Sequence, residues 1–294
     1  MADDDRHRLA VASLLYAATL WGMVWYPLRW LDAAGLNGLW QSVISYGAAL
    51  LVVLPFYRGR AGELRRRWPR LTLMALAIGW CNIAFVLAML EGDVLRVLLF
   101  FYLSPLWTIL LGRLFLGERL TVRVLVGLAA GLAGMVAMLW RPELGFDGPR
   151  ARADWLALSA GFGFALANVL VRYLRDVSIV GKTLVSWLGV LVIGLAALLL
   201  SGPAWPEATP AAWWGALALG VIGFVSMSFA VQYGVTHMPV QQSSVILLFE
   251  LVAGGVSAWW LADESPRVTE WLGGLSIVAA GLIVQWRSPD AECH

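Results

Sequence analysis

Ten long apolar stretches constrain the fold of this chain more than any other feature of its sequence. An α-helix needs about 20 apolar residues to cross the hydrocarbon core of a bilayer, where each helix satisfies its own backbone hydrogen bonds. The sequence therefore predicts an all-α polytopic membrane protein with ten transmembrane helices. The predicted helices cover residues 9–28, 36–57, 71–90, 94–114, 121–140, 154–174, 181–201, 211–235, 240–262 and 269–287.

Charged residues are too few to cover a soluble surface. Of the 294 residues, 60% are hydrophobic and 14% are charged, and the mean hydropathy is +0.75. Soluble domains carry about 25% charged residues. This balance excludes a soluble globular protein, a disordered chain and a nucleic-acid-binding protein, and it predicts that the chain lies in a lipid bilayer.

The start of the chain and the distribution of basic residues predict the topology. Residues 1–8 are rich in Asp, unlike the start of a cleaved signal peptide, so we expect the first helix to be retained. Lys and Arg concentrate in cytoplasmic loops. Placing the N-terminus in the cytoplasm puts most of the 21 Lys and Arg residues on that side. With ten helices, the C-terminus then lies in the cytoplasm as well.

The two halves of the sequence match each other at a shift of 146 positions. The rare residues that coincide are Arg29 with Arg175, Glu118 with Glu264, and Gly127 with Gly273. Because each half holds five helices, an odd number, the second half must enter the membrane upside down. The basic segment 58–70 accordingly corresponds to 204–216, which contains no Lys or Arg. We expect two inverted five-helix repeats, 1–146 and 147–294, around a central cavity.

The fourth helix of each half ends in a recognisable pattern. The residues that carry it are Leu103-Ser104-Pro105-Leu106-Trp107 with Leu116-Gly117-Glu118-Arg119-Leu120, Leu248-Phe249-Glu250-Leu251 with Leu261-Ala262-Asp263-Glu264, and Trp21-Gly22 in the first helix. With these residues the chain resembles the drug/metabolite transporter superfamily, in its ten-helix EamA-type branch. Leu251 and Asp263 depart from the Pro and Gly that the family often has at those positions.

This resemblance implies a function. Within the branch the chain is most similar to bacterial exporters of aromatic amino acids, which implies an inner-membrane exporter with both termini in the cytoplasm. The implied substrates are amino acids, with aromatic and other apolar ones favoured. Transport would be secondary-active or facilitated, by alternating access. The sequence does not fix the oligomeric state, and a monomer is compatible with it.

Polar and aromatic residues in the middle of the third and eighth helices are candidates for substrate binding, since inverted-repeat transporters bind substrate near the midplane. These candidates are Trp80, Asn82, Phe85, Ser226, Ser228 and Gln232. They could supply hydrogen bonds to an amino-acid backbone and stacking surface for a ring. Alternatively, the polar ones join neighbouring helices by hydrogen bonds.

The fourth and sixth helices hold candidate gating residues. Pro105 frees the carbonyl group about four residues earlier and predicts a kink near Phe101. Phe101 and Tyr102 lie within reach of one face and are candidate substrate contacts. In the sixth helix, Gly161 and Gly163 could form a flexible gate, or they could permit close helix packing.

Ser244 and Glu250 are the candidate substrate residues of the ninth helix. A carboxylate at the centre of a bilayer costs about 2.5–3.5 kcal/mol or more, so Glu250 must face protein or water. It could bind a substrate ammonium group, couple transport to protons, or bond a neighbouring helix as a structural acid. Arg96, near the outer end of the fourth helix, could meet a substrate carboxylate or extend to the interface.

Cofactor chemistry finds no support in the sequence. The histidines and cysteines His7, His237, His294, Cys81 and Cys293 are scattered, so no metal site is predicted and no cofactor is expected.

Other functions remain as alternatives. Gly181, Lys182 and Thr183 resemble the end of a P-loop, but Asp176 stands where its first glycine would be. An ATP-driven transporter is therefore not predicted. One alternative is an exporter of cationic hydrophobic drugs, with Glu250 and aromatic rings as the cation site. Another is a non-transporting membrane enzyme or scaffold.

Overall fold

The computed structural model describes residues 2–57, 61–92, 94–140, 148–202, 205–262 and 267–285, and their regular structure is helical. The expected boundary between residues 146 and 147, and the motif residues Asp263 and Glu264, lie outside these ranges. The prediction of an all-α polytopic fold is confirmed.

Ten apolar helices account for nearly all of the described chain. Nine are long and apolar enough to cross a membrane, and the tenth is somewhat shorter. Their potentially membrane-spanning parts are α1 (Asp5–Ala33), α2 (Gly38–Phe56), α3 (Leu64–Glu91), α4 (Arg96–Leu116), α5 (Val122–Leu139), α6 (Arg152–Tyr173), α7 (Ile179–Ser201), α8 (Pro210–His237), α9 (Val240–Leu261) and α10 (Val268–Val284), and some of the helices extend beyond these parts. We call the end of the bundle at which α1 begins and α10 ends the terminal end.

Three of these helices are interrupted. A break at Val24 divides α1 into Ala2–Met23 and Trp25–Ala33. The chain of α4 breaks between Phe101 and Ser104, where Pro105 predicts a kink, and α9 breaks at Leu248 although no proline follows. The breaks in α4 and α9 lie at positions 146 residues apart.

The predicted boundaries differ from the structure mainly in α1 and α3. The helix of α3 begins at Ala61, ten residues before the predicted start, and α1 continues to Ala33. The part of α1 beyond its predicted end contains Arg29, and the part of α3 before its predicted start contains Arg65 and further arginines. Apolar content defines only the part of a helix inside the hydrocarbon, whereas arginine stems extend a helix to headgroup level.

Polar side chains cap the starts of several helices, and a glycine ends another. The side chains of Asn37, Thr121, Ser178 and Thr209 each accept a hydrogen bond from a backbone N–H of the first helical turn. Gly117 ends α4 with φ of 66°, a conformation that favours glycine. These caps satisfy backbone groups at the ends of the helices, close to the expected membrane surfaces.

The helices pack in a regular order. The pairs α5 with α10, α2 with α7, and α4 with α9 are in contact. Helix α6 packs against α3 and α4, while α1 packs against α8 and α9; α3 also contacts α7, and α2 contacts α8. At the crossing of α5 and α10, the Ser276 hydroxyl donates a hydrogen bond to the Ala130 carbonyl at 2.8 Å.

Close approach at this crossing depends on glycine, which yields a stability prediction. A Cβ at Gly273 would lie 2.5 Å from the Gly134 carbonyl oxygen, whereas a Cβ at Gly281 on the same helix meets nothing within 4 Å. We expect Gly273→Leu to destabilise the protein by about 1–3 kcal/mol through overpacking. Gly281→Leu should be neutral or slightly stabilising, because leucine has the higher helix propensity. Thermal unfolding in detergent measures both, and equal effects would contradict the described crossing.

Candidate substrate site

Tyr46 and Asn82 form one side of a polar and aromatic site inside the bundle. The Asn82 amide donates a hydrogen bond from Nδ2 to the Tyr46 hydroxyl oxygen at 3.3 Å. The Tyr46 ring stacks on Phe224 with centroids 4.5 Å apart, and Phe224 stacks on Trp21 at 5.5 Å. The Asn82 Oδ1 is buried and has no hydrogen-bond partner among the described residues. This oxygen is therefore an acceptor that a ligand could use.

Glu250 and Tyr102 form the other side. Their side chains lie close enough to interact across α9 and α4. Next to Tyr102, Phe101 contacts the ring of Phe85 at a centroid distance of 4.7 Å and that of Phe164 at 5.8 Å. Tyr102, which lies beside Glu250, is in turn in ring contact with Phe101 of this phenylalanine cluster.

Cys81 connects the two sides. It is buried and lies close enough to Glu250 and to Tyr46 to interact electrostatically with each. Glu250 lies deep in the bundle, yet its side chain is only half-buried, as is that of Asn82. Both side chains therefore keep some accessible surface.

The chemistry of this site suits a ligand that carries an ammonium group and an apolar side chain. A carboxylate at Glu250 can bind an ammonium group, and the Asn82 oxygen can accept a further hydrogen bond. The phenylalanine cluster offers apolar surface and ring edges to an aromatic ligand. No group of three or more metal-ligating side chains occurs among the described residues.

Gln232 and Ser228 belong to an adjoining layer between α7 and α8. Gln232 donates from Nε2 to the Ser186 hydroxyl at 3.3 Å, and the Trp187 indole donates to the Ser228 hydroxyl at 3.1 Å. Trp187 shares an apolar cluster with Tyr46, so this layer adjoins the site.

Trp80 lies on a different face of α3 from Asn82. Its indole donates to the Ser159 hydroxyl at 3.2 Å, and 42% of the side chain is exposed. Side chains two positions apart in an α-helix are separated by about 200° around the helix axis. The structure therefore does not bring Trp80 together with Asn82.

Two predicted serines bond within their own helices. Ser226 donates to the Gly223 carbonyl at 2.9 Å, and Ser244 donates to the Gln241 carbonyl at 3.0 Å. The structure places neither among the Glu250 and Asn82 contacts described above.

The predicted gating glycines lie at tight helix contacts. A Cβ at Gly161 would lie 2.6 Å from the carbonyl oxygen of Phe101, the group exposed by the break before Pro105. A Cβ at Gly163 would lie 2.8 Å from the Ala77 carbonyl oxygen. Both positions permit close helix packing, one of the two roles that the sequence allows.

Arg96 forms a bidentate ion pair with Asp154. Its Nε and Nη2 each donate to the carboxylate at 2.9 Å, and the Asp154 side chain is 2% exposed. Backbone N–H groups of Arg150 and Ala151 donate to the same carboxylate. Arg96 therefore joins α4 to the start of α6.

Lys182 is a fully buried charge whose role the sequence did not reveal. Its ammonium group donates to the Val171 carbonyl at 3.1 Å and to the Thr236 hydroxyl at 2.6 Å. Arg172 donates to the Thr236 carbonyl. These bonds join α6, α7 and α8 at the terminal end. A lysine one turn inside an apolar helix was the available signal, since such a charge needs buried partners.

Two carboxylates in connecting segments strengthen the terminal end. Burial raises the pKa of Glu118, which accepts a hydrogen bond at 3.2 Å from the backbone N–H of Val240. Burial would also raise the pKa of Asp176, but hydrogen bonds from Arg67 and Arg66 lower it below its usual range. Asp176 is therefore ionised at neutral pH and pairs with both arginines.

Apolar contacts also differ between the two ends of the bundle. At the terminal end one buried cluster joins five helices, through Ala10, Leu14, Leu71, Met74, Leu170, Leu174, Val235, Val240 and Ile246. At the opposite end the described residues form separate clusters, one around Ala88 and Ala157 and another around Leu31 and Ala212. The helices are thus joined most extensively at the terminal end.

A family model of transporters matches this chain twice. The EamA-like transporter family aligns with residues 8–140 and again with residues 151–286. The chain belongs to the EamA-like transporter family. The prediction of a membrane transporter rather than an enzyme is confirmed.

Individual relatives agree with this family. An uncharacterised transporter of Archaeoglobus fulgidus is 26% identical over 95% of this chain and 97% of its own length. A probable terminal-alkyne amino-acid exporter of Streptantibioticus cattleyicolor is 27% identical over 93% of each chain. A solved crystal structure with 19% identity superposes with a TM-score of 0.78 over 94% of this chain and 96% of the other, which supports the fold alone.

Contact between Tyr102 and Glu250 can be measured as a coupling energy. We expect the double-mutant cycle of Tyr102→Phe and Glu250→Gln to give a coupling of about 0.6–1.7 kcal/mol, the size of interhelical hydrogen bonds in membrane proteins. Unfolding free energies in detergent supply the four values. A control cycle of Tyr102→Phe with Glu207→Gln, an exposed carboxylate in a connecting segment, should show no coupling. A coupling energy of zero between Tyr102 and Glu250 would contradict the described contact between them.

Proposed function

We propose that this protein exports amino acids across the bacterial inner membrane, with aromatic and other apolar ones favoured, by secondary-active or facilitated transport. The observation that carries this proposal is the interior site in which Glu250 lies beside Tyr102, whose ring contacts Phe101, while Asn82 bonds Tyr46. Similarity to a probable amino-acid exporter along most of the chain supports the same substrate class.

We infer that the two halves are inverted copies of one five-helix unit. If each helix of one half is replaced by its counterpart in the other half, the contact of α3 with α6 becomes that of α8 with α1, which also exists. The other principal helix pairs likewise correspond to pairs that are in contact. Ser276 bonds Ala130, the residue 146 positions earlier, as expected for residues beside a two-fold axis. The two matches of the family model support the same division.

The basic residues support cytoplasmic termini. Arg65, Arg66, Arg67 and Arg70 lie at the start of α3, at the terminal end, as the positive-inside rule expects of a cytoplasmic surface. The corresponding segment before α8, at the opposite end, contains no Lys or Arg. In this orientation the terminal end faces the cytoplasm.

Substrate binding follows from the chemistry of the site. The ammonium group of an amino acid would pair with Glu250 and donate to the Asn82 oxygen. An apolar or aromatic side chain would lie against Phe85 and Phe101. Ser228 and Gln232, in the adjoining layer, would contact larger substrates.

Alternating access requires a site that opens to one side at a time. The cluster around Leu14 and Leu170, together with the Lys182 bonds, supports a state closed to the cytoplasm. Separate clusters at the other end support a pathway that opens outward. The breaks in α4 and α9 supply hinges, with Pro105 fixing one and Gly161 packed against it.

Counterflow in proteoliposomes tests the function and the site together. Vesicles preloaded with unlabelled phenylalanine should accumulate labelled phenylalanine above empty vesicles. We expect Asn82→Leu to reduce the rate about tenfold, because a lost hydrogen bond in a buried site costs about 1.4 kcal/mol. Trp80→Phe, on the other face of α3, should keep the rate within about twofold of the unchanged protein.

The controls separate the alternatives. Loss of transport in Trp80→Phe but not in Asn82→Leu would refute the site. Absence of amino-acid counterflow, with transport of a quaternary-ammonium dye, would favour a drug exporter. Absence of transport for every class of small molecule would refute the proposal as a whole.

The closed terminal end can be tested by cysteine accessibility. With Cys293 replaced by serine, Cys81 in the site is the remaining cysteine. Thr236→Val removes the hydroxyl that accepts a hydrogen bond from Lys182. We expect this variant to show several-fold more labelling of Cys81 by an impermeant maleimide applied to the cytoplasmic side. Thr19→Val should not, because Thr19 bonds its own helix. Equal labelling of the two variants would contradict the proposal that the Lys182 bonds close the terminal end.

A further inference from the structure

An apolar groove runs along the outer surface between α3 and α7. Its volume is about 330 Å³. The lining includes Leu64, Trp68, Leu71, Leu76, Val185 and Leu188. Several of these residues, among them Leu76 and Leu188, are about half exposed.

Glycine packing explains the shape of the groove. The backbones meet at Gly189, where an added Cβ would collide with the Ala75 carbonyl oxygen, and at Gly79, where it would collide with the Gly189 carbonyl oxygen. From this contact the groove continues along α3 to Leu64, toward the terminal end. Beyond the tight crossing, larger side chains line the groove toward that end.

The dimensions fit one hydrocarbon chain. The groove extends from Leu76 to Leu64 on α3, about 18 Å at 1.5 Å per residue, of which about 12 Å lies between Leu76 and Trp68. One leaflet contributes about 15 Å of the 30 Å hydrocarbon core.

Basic and amphipathic residues surround the end of the groove at the membrane surface. Arg65 directly follows Leu64 and is exposed, and the helical repeat places it at the border of the groove face. Trp68, 62% exposed, lies one turn further, where an indole is favoured at headgroup level. Arg67, on the other border, binds Asp176 at 2.8 Å.

We propose that this groove binds one anionic phospholipid of the leaflet at the terminal end. One acyl chain lies between α3 and α7, and the phosphate and anionic headgroup contact Arg65, with the Trp68 indole at the level of the ester groups. The apolar lining selects a lipid over free phosphate. The proposal concerns the outer surface of the bundle and does not depend on which substrate the protein transports.

Native mass spectrometry in detergent tests this site with two probes, phosphatidylglycerol and phosphatidylcholine of identical acyl chains. We expect the protein to retain phosphatidylglycerol about fivefold more than phosphatidylcholine, the preference that one arginine at a membrane surface provides. Arg65→Gln should abolish the preference. Arg113→Gln, an exposed arginine at the same end, should keep it. Val185→Trp, which fills the groove, should reduce retention of both lipids.

A second measurement covers the case in which the tryptophan variant does not fold. Phosphatidylglycerol brominated in its acyl chains should quench Trp68 fluorescence, measured as the difference between the unchanged protein and Trp68→Phe. Equal retention of the two lipids, or a preference that survives Arg65→Gln, would overturn the proposal. A dimeric mass that Val185→Trp converts to monomer would assign the groove to a second copy instead.

Discussion

A helix inside lipid must satisfy its own backbone hydrogen bonds, and this protein interrupts its helices where another helix covers the break. The carbonyl of Phe101, at the break in α4, lies against Gly161 of α6. The carbonyl of Glu250, just after the break in α9, lies against Gly22 of α1. The glycines allow backbone to approach backbone, so both breaks persist in the membrane interior. The position of the site follows from them, because Tyr102 lies in one break and Glu250 directly after the other.

Polar groups in the interior follow the same constraint. Glu250 lies beside Tyr102, Asn82 bonds Tyr46, and the buried Lys182 bonds two oxygens of neighbouring helices. The Asn82 and Lys182 bonds each join different helices. Asn82 also retains an acceptor that the described protein groups leave unpartnered. Asn82 is therefore both a contact between helices and a group that we propose to bind substrate.

Much of the fold could be predicted from the sequence, because apolar length specifies where a chain crosses a membrane. Pro105 also predicted the break in α4. The break at Leu248 could not be predicted, since no proline causes it and tertiary contacts support it. Hydropathy gives the depth of a residue but not its rotation about the helix, which is why Trp80 and Asn82 were grouped although they occupy different faces. Tyr46, in the middle of α2, was missed although the same criterion of mid-helix polarity would have found it.

The inverted repeat is the central claim, and the sidedness of two equivalent positions tests it most directly. Arg65 and Ala211 are both exposed and stand 146 residues apart. Each would be replaced by cysteine in a chain with Cys81→Ala and Cys293→Ser, and an impermeant maleimide would be applied to intact cells. The account predicts labelling of the Ala211→Cys variant in intact cells and of the Arg65→Cys variant only after the membrane is permeabilised. Labelling of both from the same side would contradict it.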